Sequence, residues 1–175
     1  MVGMKAQILD GKSLASRLRE EIRIETAKLK ETTGKTPCLA VILVGENPAS
    51  VSYVTAKEKA CAEAGIASRP VHLAADTPEA ALLAQIDALN ADEGVDGILV
   101  QLPLPKGIDE KAVIERIAPE KDVDGFTPAN VGRMLIGEEC FIPCTPHGIL
   151  KLIELSGTPT RGRHAVIVGR SNIVG

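Results

Sequence analysis

Leu39-Ala-Val-Ile-Leu-Val44, followed by Gly45-Glu46-Asn47-Pro48, is the stretch on which the fold turns. Six consecutive apolar residues leave no alternation for a sheet face open to water. The run therefore reads as a strand buried on both faces. Gly45 ends it. Asn47-Pro48 then reads as a helix N-cap followed by proline at the first helical position, where a missing N–H is harmless. The helix runs to about Ala64, with Gly65 as its stop. A buried strand feeding a helix is the first half of a βαβ unit.

The alternation extends outward on both sides. Upstream, Leu14, Leu18, Ile22 and Leu29 recur at helical spacing from about Gly11 to Thr33, and Gly34 supplies a stop. Downstream, Ile66 to Leu73 is a second strand, weakened by Pro70. Thr77-Pro78 opens a helix with Leu82, Leu83, Ile86 and Leu89 on one face. Gly97 to Val100 is a third buried strand, and a short helix follows around Glu110 to Ile117. Thr127-Pro128 and Thr145-Pro146 repeat the cap-then-proline signal. The last helix reaches roughly Leu155 before Gly157. Ala165 to Val168 reads as a final strand running into Gly169 to Gly175. This order predicts an α/β fold, a three-layer α/β/α arrangement with a mostly parallel sheet, followed by the start of a Rossmann-type unit. The boundary is expected near residues 137–146. A strand feeding a glycine loop should continue into a helix whose N-terminus faces a phosphate, so the chain is expected to be a fragment.

Composition agrees. Of the 175 residues 45% are apolar but only 2% are aromatic, so Ala, Val, Ile and Leu must build the core. Net charge is −3 with mixed signs and no basic stripe, which argues against nucleic acid as a partner. No apolar run approaches the ~20 residues of a membrane span. Met1 to Asp10 has no signal-peptide pattern. Cys38, Cys61, Cys140 and Cys144 do not make a disulfide scaffold in a chain of this length, which points to a reduced, cytoplasmic setting.

Four constellations could carry chemistry. Tyr53 and Lys57 are four apart, hence on one face near the start of the Pro48 helix. A tyrosine offers a stacking surface, and a lysine in a cleft can exchange a proton near neutral pH if burial lowers its pKa. The plainer alternative is a solvated helix face. Gln101, just beyond the strand ending at Val100, sits where open α/β sheets place ligand groups; an ordinary polar strand end is the alternative. Asp122 and Asp124, in Lys121-Asp-Val-Asp-Gly-Phe126, could accept paired hydrogen bonds from an amidine-like edge, or could brace a turn. Gly169-Arg170-Ser171 begins a loop that resembles a dinucleotide fingerprint but carries Ser171 and Val174 at the second and third glycine positions. Arg170 and Ser171 could contact a phosphate. Cys140, Cys144 and His147 have a metal-like spacing, but flanking prolines and the lack of a fourth ligand lead us to expect no metal. His72 and His164 read as structural.

In order, Val44-Gly-x-x-Pro-Ala-Ser with Tyr53 and Lys57, Val100-Gln-Leu-Pro-Leu-Pro105, Lys121-Asp-Val-Asp-Gly-Phe126, Pro143-Cys-Thr-Pro-x-Gly148 and Val168-Gly-Arg-Ser-x-x-Val-Gly175 resemble the bifunctional methylenetetrahydrofolate dehydrogenase/methenyltetrahydrofolate cyclohydrolase family along essentially the whole chain. The resemblance implies NADP-dependent oxidation of 5,10-methylenetetrahydrofolate and hydrolysis of the methenyl product to 10-formyltetrahydrofolate, a step of one-carbon metabolism that serves purine biosynthesis. It implies Lys57 as the principal acid/base group, Gln101 holding it, Tyr53 stacking on the folate and Asp124 on the pterin edge, with Val100 and Leu102 also lining the substrate. Gly169, Arg170 and Ser171 would meet NADP. Residues 1–145 would be the folate-binding catalytic unit and 146–175 the beginning of the NADP-binding one. The family works as a homodimer, and this piece alone is expected to have little dehydrogenase activity. Two rivals stand beside this reading: another two-domain dehydrogenase of shikimate or amino-acid type, and a noncatalytic folate-binding module.

Overall fold

The computed structural model describes residues 6–171. Met1 to Lys5 and the end of the glycine loop, Asn172 to Gly175, including Val174, lie outside the described residues.

Helix α1 (Gly11–Thr33) is capped by Asp10, whose carboxylate accepts from Lys12 N and Ser13 N, and ends at Gly34 in the left-handed region. Strand β1 (Cys38–Val44) leads through Gly45 to α2 (Pro48–Ala64). The expected cap is present: Asn47 Oδ1 accepts from Ala49 N at 3.0 Å and Ser50 N at 3.3 Å, with Pro48 inside the first turn. Then come β2 (Ala67–Leu73), α3 (Glu79–Ala91), β3 (Gly97–Val100), α4 (Glu110–Arg116), α5 (Pro128–Ile136) and α6 (Cys144–Leu155).

The sheet is parallel with order β2-β1-β3. The chain moves from β1 to β2 on one side, then crosses back over β1 to reach β3 on the other. Right-handed crossovers in opposite directions place their helices on opposite faces. The core shows this division. Ala40, Ile42, Val44, Ile98 and Val100 pack with Leu82, Ile86 and Leu89 of α3 and Val113 of α4. The alternate residues Val41, Leu43 and Leu99 pack with Val54 of α2. A three-layer α/β/α unit results, as expected. Helix α1 lies outside α2, and Thr26 Oγ1 donates to Ala64 O at 2.5 Å.

Pro70 does not break β2. The strand has one neighbour and the ladder passes Val41↔Pro70 without interruption. An edge strand tolerates a residue with no N–H.

Two expectations are corrected. Residues 165–168 form no strand: Val166, Ile167 and Val168 are 72–94% exposed and join no ladder. A parallel strand requires a paired neighbour, and the segment has none among the described residues. At α6 the cap is Pro143, not Thr145. Cys144, Thr145 and Pro146 are the first three helical residues, where backbone N–H groups have no intrahelical partner, so Pro146 removes no hydrogen bond.

Candidate active site

In an open α/β sheet the crevice lies beyond the carboxyl ends of the strands, where the strand order reverses. Here that point is between β1 and β3. Beyond it meet the start of α2, the segment after Val100 and the loop after α4.

Lys57 is on the inward side of α2. The buried residues of this helix are Ser50, Val54, Cys61 and Ala64, and Lys57 falls between Val54 and Cys61 on that stripe. Gln101 continues the alternation of β3, so it points to the α2 side, as Leu99 does. Its N–H extends the ladder to Ile42 O at 2.9 Å. The two side chains meet: Lys57 Nζ donates to Gln101 Oε1 at 2.9 Å, and Gln101 Nε2 donates to Leu102 O at 2.7 Å. An ammonium only donates and a carbonyl only accepts, so one orientation of the amide satisfies both. The solvated-face reading of Lys57 therefore gives way. Lys57 Nζ also lies 5.7 Å from the centroid of the Tyr53 ring, within cation–π range. Tyr53 is 63% exposed, leaving ring surface open.

Asp122 and Asp124 sit in different environments. Asp122 is buried and braces the loop: its Oδ2 accepts from Thr127 N at 2.8 Å and Asn130 Nδ2 at 2.9 Å. Asp124 is half-buried, and its carboxyl has no hydrogen-bond partner among the described residues. Burial pushes its pKa up; the charge of Lys57 works against that shift and the charge of Asp122 adds to it. Gly125 shapes the turn after it. Its φ is +65°, and a Cβ there would sit 2.5 Å from Phe141 O, so no side chain fits.

Of the other expected residues, Val100 ends β3 and its side chain is buried in the core with Ile42, on the face packed against α3. Leu102 and Ser171 both line a cavity of about 280 Å3 that also includes Gly125, Phe126 and Pro143. Gly169 and Arg170 are exposed, and Arg170 forms no ion pair among the described residues. Among the described residues no group of three or more His, Cys, Asp or Glu could hold a metal ion, and no helix is long and apolar enough to cross a membrane. His72 lies on β2 with its side chain exposed, and His164 lies outside any element.

Sequence reading gave Cys144 no place at this site. Cys144 is exposed overall, but its thiol lies within electrostatic reach of both Asp124 and Lys57: partial loss of solvent around the sulfur raises its pKa, Asp124 raises it further, and Lys57 opposes. The local signal was its position at the start of a helix, directly after Pro143.

The model of the tetrahydrofolate dehydrogenase/cyclohydrolase catalytic domain matches residues 9–124, and that of the family's NAD(P)-binding domain matches residues 143–175. The chain belongs to the tetrahydrofolate dehydrogenase/cyclohydrolase family. It is 57% identical to the bifunctional protein FolD of Halalkalibacterium halodurans over 98% of this chain and 61% of that protein. It is 58% identical to the FolD of Moorella thermoacetica over the same shares. Among solved structures it resembles the FolD methylenetetrahydrofolate dehydrogenase/cyclohydrolase of Campylobacter jejuni, with a TM-score of 0.94 and 49% identity over 97% of this chain and 60% of that one. The Trypanosoma brucei enzyme, complexed with NADP cofactor and inhibitor, matches with a TM-score of 0.93 and 36% identity over 97% of this chain and 58% of that one. The chain thus spans about 60% of the length of these tetrahydrofolate dehydrogenase/cyclohydrolase relatives.

Proposed function

We propose that this chain forms the folate-binding half, and the first part of the cofactor-binding half, of an enzyme that oxidises 5,10-methylenetetrahydrofolate with NADP and hydrolyses the methenyl product to 10-formyltetrahydrofolate. The observation that carries the reading is the 2.9 Å contact between Lys57 Nζ and Gln101 Oε1, at the reversal of strand order and beside an open tyrosine ring.

In the hydrolysis, water adds to the cationic methenyl carbon and a C–O bond forms. The N5–C bond then breaks, leaving the formyl group on N10. Water gives up two protons; one ends on N5 and one leaves to solvent. Lys57 is the group that moves these protons, and Gln101 holds its amine at the reacting carbon. Tyr53 stacks on the flat part of the folate. Asp124, with its carboxyl free, takes the pterin amino group and ring nitrogen. Leu102 and the Val100 backbone line the substrate. Arg170 and Ser171, following Gly169, fit a phosphate: an exposed guanidinium without an ion pair among the described residues, next to a hydroxyl. NADP, when bound, supplies the hydride acceptor for the oxidation.

Residues 1–145 are the folate unit and residues 146–175 begin the NADP unit. The enzyme works as a homodimer in the cytoplasm, and its 10-formyl product serves purine biosynthesis. The family membership and the four free cysteines support this setting.

The test is a cyclohydrolase assay with 5,10-methenyltetrahydrofolate beside a folate titration. Lys57→Met should lower kcat by about 10²–10⁴-fold while folate binding is partly kept. Turnover surviving that change removes the assignment of Lys57, and binding without any turnover in the unaltered protein favours a noncatalytic module.

A further inference from the structure

Asp124 is placed by its neighbours, not by bonds of its own. Lys121 donates to three carbonyls at the end of α3: Leu89 O at 3.0 Å, Asn90 O at 2.8 Å and Asp92 O at 2.8 Å. That uses every proton of its ammonium group. The Lys121 carbonyl accepts from Ile98 N at 2.7 Å, which ties the loop to β3. On the other side, Asn130 Nδ2 donates both to Asp122 Oδ2 at 2.9 Å and to Pro119 O at 2.9 Å. This closes a ring across the beginning and end of the loop. Asn130 and Asp122 are each 1% exposed, so neither can touch a ligand. A buried carboxylate and amide are costly unless fully bonded, and apolar residues of the same size would avoid that cost. Bonded as they are, they fix the backbone on either side of Asp124.

We propose that Lys121 and Asn130, the latter acting through Asp122, are positioning residues that hold the carboxyl of Asp124 in the crevice for the pterin edge of a reduced folate. The proposal rests on the folate-binding role of Asp124 given above. Lys121 anchors the loop to the end of α3, and Asn130 anchors it to the start of α5. With either anchor gone, the loop can move without unfolding the sheet, and the carboxyl no longer meets its ligand at a fixed distance.

The test is a set of double-mutant cycles on this chain, read as the Kd for 5-formyltetrahydrofolate by calorimetric titration. Asn130→Ala and Lys121→Met should each weaken binding by roughly tenfold, the effect of losing about one charge-assisted hydrogen bond to the ligand. In the Asp124→Ala background neither change should weaken binding further, because the group they position is gone. A role in stability alone would lower the melting temperature without this non-additivity. If Asn130→Ala does not fold, Lys121→Met, which keeps the aliphatic stem, carries the same cycle. Full additivity, or unchanged affinity in folded variants, overturns the positioning role while Asp124→Ala still weakens binding. If Asp124→Ala itself leaves affinity unchanged, the folate role of Asp124 falls, and the positioning role falls with it.

Discussion

Asp124 keeps a carboxyl half out of water with no hydrogen bond of its own among the described residues, so burial raises its pKa above the ordinary value near 3.8. The sign of the consequence follows from linkage. A carboxyl whose folded pKa lies above its unfolded one stabilises the fold only while it is protonated. Its contribution is complete below the unfolded value and is lost as pH rises through the folded one. The protein should therefore lose stability relative to Asp124→Asn as pH increases from about 4 upward. Urea unfolding of both proteins across a pH series measures this, and parallel curves would contradict it. Lys57 shows how a single residue's meaning depends on its side of the helix. Its spacing from Tyr53 was visible in the sequence, but spacing alone favoured the solvated-face alternative. Val54 and Cys61, three before and four after, are the buried residues that mark Lys57 as inward. That stripe was faint because two charged residues, Glu58 and Lys59, follow Lys57 directly.

At the scale of elements, α2 carries Lys57 and Tyr53 and is fixed at its start by its cap. Asn47 Oδ1 satisfies two of the otherwise orphaned N–H groups at its start. Asn47→Ala should cost about 1 kcal/mol of stability, seen as a lower urea midpoint with an unchanged slope. Elements of this kind were legible because their signals are local: Asn47 as a cap, Gly34 and Gly65 as left-handed stops. Where the signal was ambiguous, the reading slipped. Thr145-Pro146 looks like a cap and a first helical residue, but Pro143 is the last residue with non-helical backbone (φ −50°, ψ 127°), and the helix begins at Cys144. Ala165 to Val168 has strand composition, yet composition describes how a residue suits a sheet and does not supply the neighbour whose hydrogen bonds make one.

For the molecule as a whole, stability resides in the aliphatic layer between the sheet and α3. Ile86 is fully buried there against the cluster containing Ile42 and Ile98. Ile86→Ala should cost about 2–5 kcal/mol, because it removes buried methyl groups and leaves a cavity. Leu135, 84% exposed on α5, is the internal control; its replacement by Ala should change stability by less than about 0.5 kcal/mol. Chemical unfolding of the two variants side by side separates them.

The α/β class, the boundaries of the elements from α1 to α5 to within a residue or two, and the candidates Tyr53, Lys57, Gln101 and Asp124 could be read from the chain. Helix periodicity, caps and glycine stops are settled among residues three or four apart, so a linear string contains them. The strand order β2-β1-β3 and the approach of Cys144 to within electrostatic reach of Asp124 could not, and the meeting of Lys57 with Gln101 across 44 residues was implied by the family resemblance and not by spacing. Nor could the work of Lys121 and Asn130, whose partners lie 29–32 and 8–11 residues away. Those contacts form only when separate elements pack on a common sheet, and the free energy that brings them together comes from burying apolar faces, not from any affinity between the residues that end up adjacent.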